Sequence, residues 1–299
     1  MTAVELLAEA PDWFVRALAT PGERRTSVVV GAEISSLAWG PRGAPGVVLI
    51  HGGGANANWW DHIAPALADE RRVVAVDLSG HGWSDHRDGY SLERWTDEVV
   101  AVAEDGGIAG SPVLVGHSMG GFVAIAAGAR HPDRVAGVVV CDSPVTDLDP
   151  ELSPAAHFGT TPKVYATIDE AVGRYRTVPP QARYLPFVLD HVARASLRQV
   201  DGGWTWRFDR RVFGQFAGQI RSLALPHLAG LRCPFTLLRS QHGLVTADIG
   251  TSMRAVLGGR ATVVELPEAG HHAMLDEPLV LLAALRTVLA YGQPSGVSP

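Results

Sequence analysis

Apolar residues along the chain fall into short unbroken runs separated by longer stretches with helical spacing. Positions 47–50 (Val-Val-Leu-Ile), 73–76, 113–115 and 135–141 are of the first kind, with no polar residue facing out of them. Such runs suit strands covered on both faces, the situation of a parallel sheet. Between them, 59–68, 91–104 and 119–130 carry helical patterns, and Ser91 stands where a helix N-cap is needed. Two β-like runs, 26–30 and 34–39, straddle Gly31 and predict a hairpin. From 143 to 232 the alternation lapses into proline-interrupted helical segments rich in aromatics, among them Tyr165, Tyr175, Trp204, Trp206, Phe208 and Phe213. It resumes with a strand at 235–238, a helix at 251–257, a strand at 262–266 and an amphipathic helix at 279–290. The pattern predicts an α/β fold: a mostly parallel twisted sheet of about eight strands with helices on both faces. Residues 1–142 and 233–299 form its core, and 143–232 an inserted helical cap.

Composition narrows the function. The 299 residues include 46% hydrophobic ones, enough for a full core, and carry a formal charge of −6 from 25 basic and 31 acidic residues. No block of one sign and no basic excess points to nucleic acid or an anionic membrane, so a small-molecule substrate is expected. No apolar run reaches the roughly 20 residues of a membrane span, and no basic leader precedes one. Two cysteines, Cys141 and Cys233, at the edges of apolar runs read as buried thiols. A cytoplasmic monomer or homodimer is the expectation.

Three motifs carry chemistry. Gly116-His117-Ser118-Met119-Gly120 follows a strand and opens an apolar helix, the context in which G-x-S-x-G perches a nucleophile on a tight turn. Small residues two positions either side are needed because the backbone there comes into close contact. An alkoxide formed by attack of Ser118 needs preorganised donors: the Met119 amide, and one from His51-Gly52-Gly53-Gly54, for which Gly53 is the choice. Neither G-x-G-x-x-G nor a P-loop pattern occurs there, which disfavours a phosphate cradle. The serine also needs an imidazole base. His271 lies directly after the strand at 262–266, at the sheet edge that carries Ser118, with His272 the adjacent alternative. No metal or other cofactor is implied. His81-Gly82-Trp83-Ser84-Asp85-His86 departs from a zinc-binding H-x-H-x-D-H at Trp83, and His271 and His272 would diverge on an extended loop.

Residues 47–54, Asp77-Leu78-Ser79-Gly80-His81-Gly82-Trp83-Ser84, Gly116–Gly120 and Gly270-His271 resemble the capped α/β-hydrolase superfamily over nearly the whole chain. In that family the acid that orients the histidine usually follows the strand corresponding to 234–238. Here Gly243 stands at that place. Some members carry the acid after the preceding strand instead, which implies Asp142, with Asp248 as fallback and Asp276 and Glu265 less well placed. Trp83, Phe122, Trp204, Trp206 and His272 are the candidate substrate-binding residues. The resemblance implies a cofactor-independent serine hydrolase acting on a small ester or lactone. C–C, amide and carbamate bonds remain open, as does a ligand-binding or lyase member that does not hydrolyse.

Overall fold

A computed structural model describes residues 3–146, 162–216 and 220–291. The chain opens with helices α1 (Ala3–Ala8) and α2 (Asp12–Leu18) and the hairpin β1 (Glu23–Val29) and β2 (Ala32–Trp39). Next come β3 (Gly46–Ile50), β4 (Arg72–Val76), α3 (Leu92–Asp105), β5 (Val113–His117), α4 (Met119–Arg130) and β6 (Gly137–Cys141). Helices α5 (Ile168–Gly173) and α6 (Pro186–Ala195), the hairpin β7 (Leu197–Val200) and β8 (Gly203–Trp206), and helices α7 (Arg211–Phe216) and α8 (Ile220–Gly230) follow. The chain then forms β9 (Phe235–His242), α9 (Ala247–Val256), β10 (Thr262–Gly270), α10 (Ala273–Asp276) and α11 (Pro278–Tyr291).

Eight strands form one sheet in the order β1-β2-β4-β3-β5-β6-β9-β10. The β1/β2 and β2/β4 pairs are antiparallel and every other pair is parallel. This is the mostly parallel α/β sheet expected from the apolar runs. β3 to β6 are buried at every position, which is why their sequences show no alternation. One core layer packs α3, α4 and α8 on one face, with Trp95, Phe122, Ile125 and Leu228; the other packs α11 and the β3–β4 connection, with Trp60, Leu281 and Leu285. The strand order turns outward on either side of β3, so the carboxyl ends of β3 and β5 flank the crevice where such sheets bind ligands.

The hairpin turn is Val30-Gly31, both at positive φ (48° and 74°), so Val30 belongs to the turn and not to the strand. Residues 57–67 form two 3-10 turns, Ala57–Trp60 and Ala64–Leu67, where an α-helix was expected. Asn56 caps the first through Asn58 N–H, and Pro65 opens the second. α9 begins four residues earlier than its apolar pattern, because Thr246 caps it through Ile249 N–H at 3.3 Å. β10 runs on to Gly270 through an irregularity after Leu266. Between β6 and β9 the described residues lie outside the large sheet. The β7–β8 hairpin turns at Asp201-Gly202, and α8 returns to the core through Ala224 and Leu228. Cys141 is buried and Cys233 only partly so; both are free thiols. No helix among the described residues is long and apolar enough to cross a membrane.

Candidate active site

Ser118 sits between β5 and α4 with φ 52° and ψ −119°, a conformation rarely adopted by a residue with a side chain. The turn is pinned by Ser118 N–H to the Cys141 carbonyl (3.1 Å), Gly121 N–H to the Ser118 carbonyl (3.0 Å), and the Ser143 hydroxyl, which donates to that same carbonyl at 2.7 Å. Both flanking glycines are sterically required. A Cβ on Gly116 would lie 2.1 Å from the Gly120 carbonyl oxygen, and one on Gly120 would lie 2.5 Å from those of Ile50 and His51. The last contact shows how tightly the elbow seats on the end of β3.

That seating brings the 51–54 turn beside the nucleophile. A Cβ on Gly52 would stand 3.2 Å from Ser118 Cβ, and one on Gly53 would stand 3.6 Å from Met119 Sδ. Among the described residues no acceptor takes the amides of Gly53 or Met119. The Met119 amide heads α4, where the first-turn donors have no partner within the helix. Two open amides beside a serine hydroxyl form a place where negative charge on oxygen is favoured. Phe213, from α7, closes over Gly53, its ring 3.0 Å from where a Cβ would be.

The Ser118 hydroxyl donates to His271 Nε2 at 3.0 Å, and His271 Nδ1–H donates to Asp142 Oδ2 at 2.7 Å, the tautomer that leaves Nε2 free to accept. His271 and Asp142 are almost wholly buried. Asp142 follows β6 with φ 50° and accepts the backbone amides of Leu244 (2.7 Å) and Val245 (3.1 Å). The sequence anomaly at 243 has a direct cause here. A Cβ on Gly243 would fall 2.2 Å from Asp142 Oδ2 and 2.5 Å from its Cγ. The space next to the histidine is thus filled by a carboxylate reaching across from β6, and residue 243 has to be glycine to admit it. Asp248 lies exposed in the first turn of α9, Glu265 pairs with Arg239 on β10, and Asp276 accepts Gly270 N–H at 2.7 Å. Of the four carboxylates considered, only Asp142 reaches the imidazole.

Two further histidines surround His271. His117 Nε2–H donates to the His271 carbonyl at 2.9 Å, latching the histidine loop to the residue before the nucleophile. His272 Nε2–H donates to the Pro179 carbonyl at 3.1 Å, and its backbone amide donates to Gln181 Oε1 at 2.8 Å, tying the same loop to the 179–184 strap. Burial, and then the neighbouring His271, hold the pKa of both rings well below the ordinary histidine range, so both are neutral near pH 7. The expected divergence of His271 and His272 is corrected: their ring centroids are 4.6 Å apart, because both residues lie in the turn between the end of β10 at Gly270 and the start of α10 and not on an extended loop. A cleft of about 510 Å³ lined by Gln181, His242, Leu244, Glu268 and Asp276 opens against His271.

Phe122 is 3% exposed and belongs to the core that α3, α4 and α8 build with the sheet. Trp83 is half-exposed, with the Arg207 guanidinium 3.5 Å and that of Arg24 5.1 Å from its ring centroid. Trp204 pairs with Tyr165 through backbone bonds, and Trp206 packs on Tyr165 and Tyr175. His272 is buried with its ring edge-on to Trp59. Sequence reasoning passed over His117, Ser143, Phe213 and the Leu244 and Val245 amides. Only His117 carried a signal, as a polar residue ending an otherwise apolar strand next to the nucleophile.

A family model described as "Alpha/beta hydrolase family" matches residues 47–285. The chain belongs to that family, and it is a hydrolase by membership. The Mycobacterium tuberculosis esterase Rv0045c is 33% identical over 280 residues, covering 87% of this chain and 88% of that one. A structure of that esterase, solved in work on its transition-metal inhibition and structural refinement, superposes with a TM-score of 0.69 at 26% identity, over 97% of this chain and 99% of the other. The fold is also that of E-2-(acetamidomethylene)succinate hydrolase, with a TM-score of 0.78 at 23% identity over 90% and 99% of the two chains.

Proposed function

We propose that this protein is a cofactor-independent serine esterase that cleaves a small carboxylic ester or lactone through an acyl-enzyme on Ser118. The observation that carries the reading is the continuous hydrogen-bond chain Ser118 Oγ to His271 Nε2, His271 Nδ1 to Asp142. In the first step His271 removes the Ser118 proton as Oγ attacks the carbonyl carbon. The oxyanion sits between the Gly53 and Met119 amides, and His271 passes the proton to the departing alcohol. Asp142, held by two backbone amides, keeps His271 in the accepting tautomer and stabilises the imidazolium. Water then attacks the acyl carbon and loses a proton to His271, which returns it to Ser118 Oγ as the acid departs.

Residues 143–232 serve as the cap over this site in the same reading, with Phe213 placed over the oxyanion turn. The 33% identity to a mycobacterial esterase supports an ester in preference to the amide, carbamate or C–C bonds that the same groups could also attack. The reading is tested with a panel of p-nitrophenyl esters, lactones and anilides run on wild type, Ser118→Ala and Asp142→Asn. Ester or lactone turnover abolished by Ser118→Ala is expected. Tight ligand binding with no turnover of any compound would leave a binding protein on a hydrolase scaffold.

A further inference from the structure

The triad uses one histidine, yet three buried imidazoles meet behind the nucleophile. One ring nitrogen from each of His117, His271 and His272 lies within 4.8 Å of the other two. In every ring the other nitrogen is occupied as a donor: His117 Nε2–H on the His271 carbonyl, His271 Nδ1–H on the Asp142 carboxylate, His272 Nε2–H on the Pro179 carbonyl. These bonds fix the lone pairs on His117 Nδ1, His271 Nε2 and His272 Nδ1. His271 Nε2 faces Ser118. His117 Nδ1 and His272 Nδ1 are buried and have no hydrogen-bond partner. Nothing in ester cleavage needs those two lone pairs, and buried polar atoms without partners are uncommon.

We propose that His117, His271 and His272 form a binding site for one borderline-soft divalent metal ion, Zn²⁺ or Cu²⁺, whose capture of His271 Nε2 turns the enzyme off. Ligand chemistry selects the ion. Three neutral imidazoles suit Zn²⁺, Cu²⁺ and Ni²⁺, whereas Mg²⁺ and Ca²⁺ require oxygen. The surroundings match those of established histidine sites, in which each ligating ring donates its second N–H to a carboxylate or backbone carbonyl that fixes its orientation. All three rings do so here, and Asp142 adds a negative charge behind the central one. On binding, the His271 Nε2 lone pair leaves the Ser118 O–H for the metal. Ser118 keeps its proton, no covalent bond forms or breaks, and a water completes the coordination sphere.

The geometry also sets the strength. Zn–N bonds of about 2.0–2.1 Å in a tetrahedral site place nitrogens roughly 3.3–3.4 Å apart. Rings spread over as much as 4.8 Å must therefore rotate inward, and the Ser118–His271 bond must be given up. A reversible inhibitor is expected, not a structural ion.

Inhibition presupposes the hydrolase reading, but binding does not, so calorimetric titration in a non-chelating buffer is the primary measurement. Wild type should take up one Zn²⁺ or Cu²⁺ per chain, reversed by EDTA, and no Mg²⁺. Ser118→Ala, which removes the competing hydroxyl, should bind at least as tightly. His117→Asn and His272→Asn should each raise the Kd by about tenfold or more, because losing a ligand costs at least as much as losing its outer-shell support. Co²⁺ bound to wild type should show the intense visible absorption of a tetrahedral site, a readout that does not depend on the variants folding. Inhibition constants, each referred to the variant's own metal-free rate on p-nitrophenyl butyrate, should track the Kd values. No binding, an octahedral Co²⁺ spectrum, or a Kd unchanged in both histidine variants would overturn the site. Histidine-dependent binding without any ester turnover would keep the site and remove the esterase reading.

Discussion

Gly243→Ala perturbs the triad without touching any of its three residues. The added Cβ would stand 2.2 Å from Asp142 Oδ2 and 2.4 Å from Oδ1, and real Cβ contacts essentially never fall below 3.0 Å. The carboxylate must retreat by about 0.8 Å merely to reach that limit. Retreat on that scale stretches the 2.7 Å bonds from His271 Nδ1 and Leu244 N–H to about 3.5 Å, outside hydrogen-bond range. A backbone shift would be no easier, since the Leu244 and Val245 amides bond the same carboxylate and Gly243 N–H donates to the Ser240 carbonyl, so those bonds would break instead. Losing the orienting acid typically costs about 10⁴ in kcat, so a fall of about 10² to 10⁴ is expected, with KM little changed. Steady-state hydrolysis of p-nitrophenyl butyrate measures it, with circular dichroism to establish that the variant folds. A compensating double variant makes the test sharper. Gly243 is not at positive φ, so Gly243→Asp is free of backbone strain, and Asp142→Gly clears the space. The pair should recover at least about tenfold over Asp142→Gly alone. A Gly243→Ala enzyme with wild-type kcat would refute the claim that positions 142 and 243 compete for one volume.

Three further outcomes follow from the same geometry. Asp142→Asn should lower kcat by about 10⁴, while Asp248→Asn, at an exposed first-turn position, should stay within about twofold in the same assay. Gly120→Ala, whose Cβ meets two backbone carbonyls that cannot swing away, should destabilise the fold by about 3 kcal/mol or more, read from denaturant midpoints. Burial pushes the pKa of His62 down to about 4, against its backbone bond to Met274, so the folded ring stays neutral where the unfolded one is charged. Stability should therefore fall as pH drops from about 6.5 to about 4, by about 1.4 kcal/mol per unit and about 3 kcal/mol in all from this residue. His62→Gln should flatten that part of the profile; an identical acid slope in the variant would show that His62 does not carry it.

The parallel strands were legible because residues buried on both faces leave no polar alternation, as at Val47–Ile50 and Val113–Val115. Ser118 and His271 were legible because local chain geometry writes itself into small residues and strand ends. Asp142 could be placed only as the carboxylate ending the neighbouring strand. The reason for Gly243, a carboxylate occupying its side-chain volume from 101 positions upstream, is a contact between strands and leaves no local pattern. The same limit explains the other differences. That Phe122 is buried in the core and that the Arg207 guanidinium covers the Trp83 indole are matters of packing between distant segments, which the local sequence does not record. The 3-10 turns of 57–67 arise from Asn56 capping and Pro65, which override an apolar spacing that reads as α-helical. His272 was expected to point away from His271 because an extended loop was assumed; the turn into α10 brings the rings together.

The central claim, that Ser118 carries the acyl group, is tested most directly by rapid quench of the enzyme with a p-nitrophenyl ester followed by intact-mass and peptide mass analysis. The account predicts a burst of nitrophenol approaching one equivalent when deacylation is slow, and an acyl adduct on the peptide containing Ser118 that is absent from Ser118→Ala. Turnover with no adduct on Ser118, or an undiminished rate in Ser118→Ala, would contradict it.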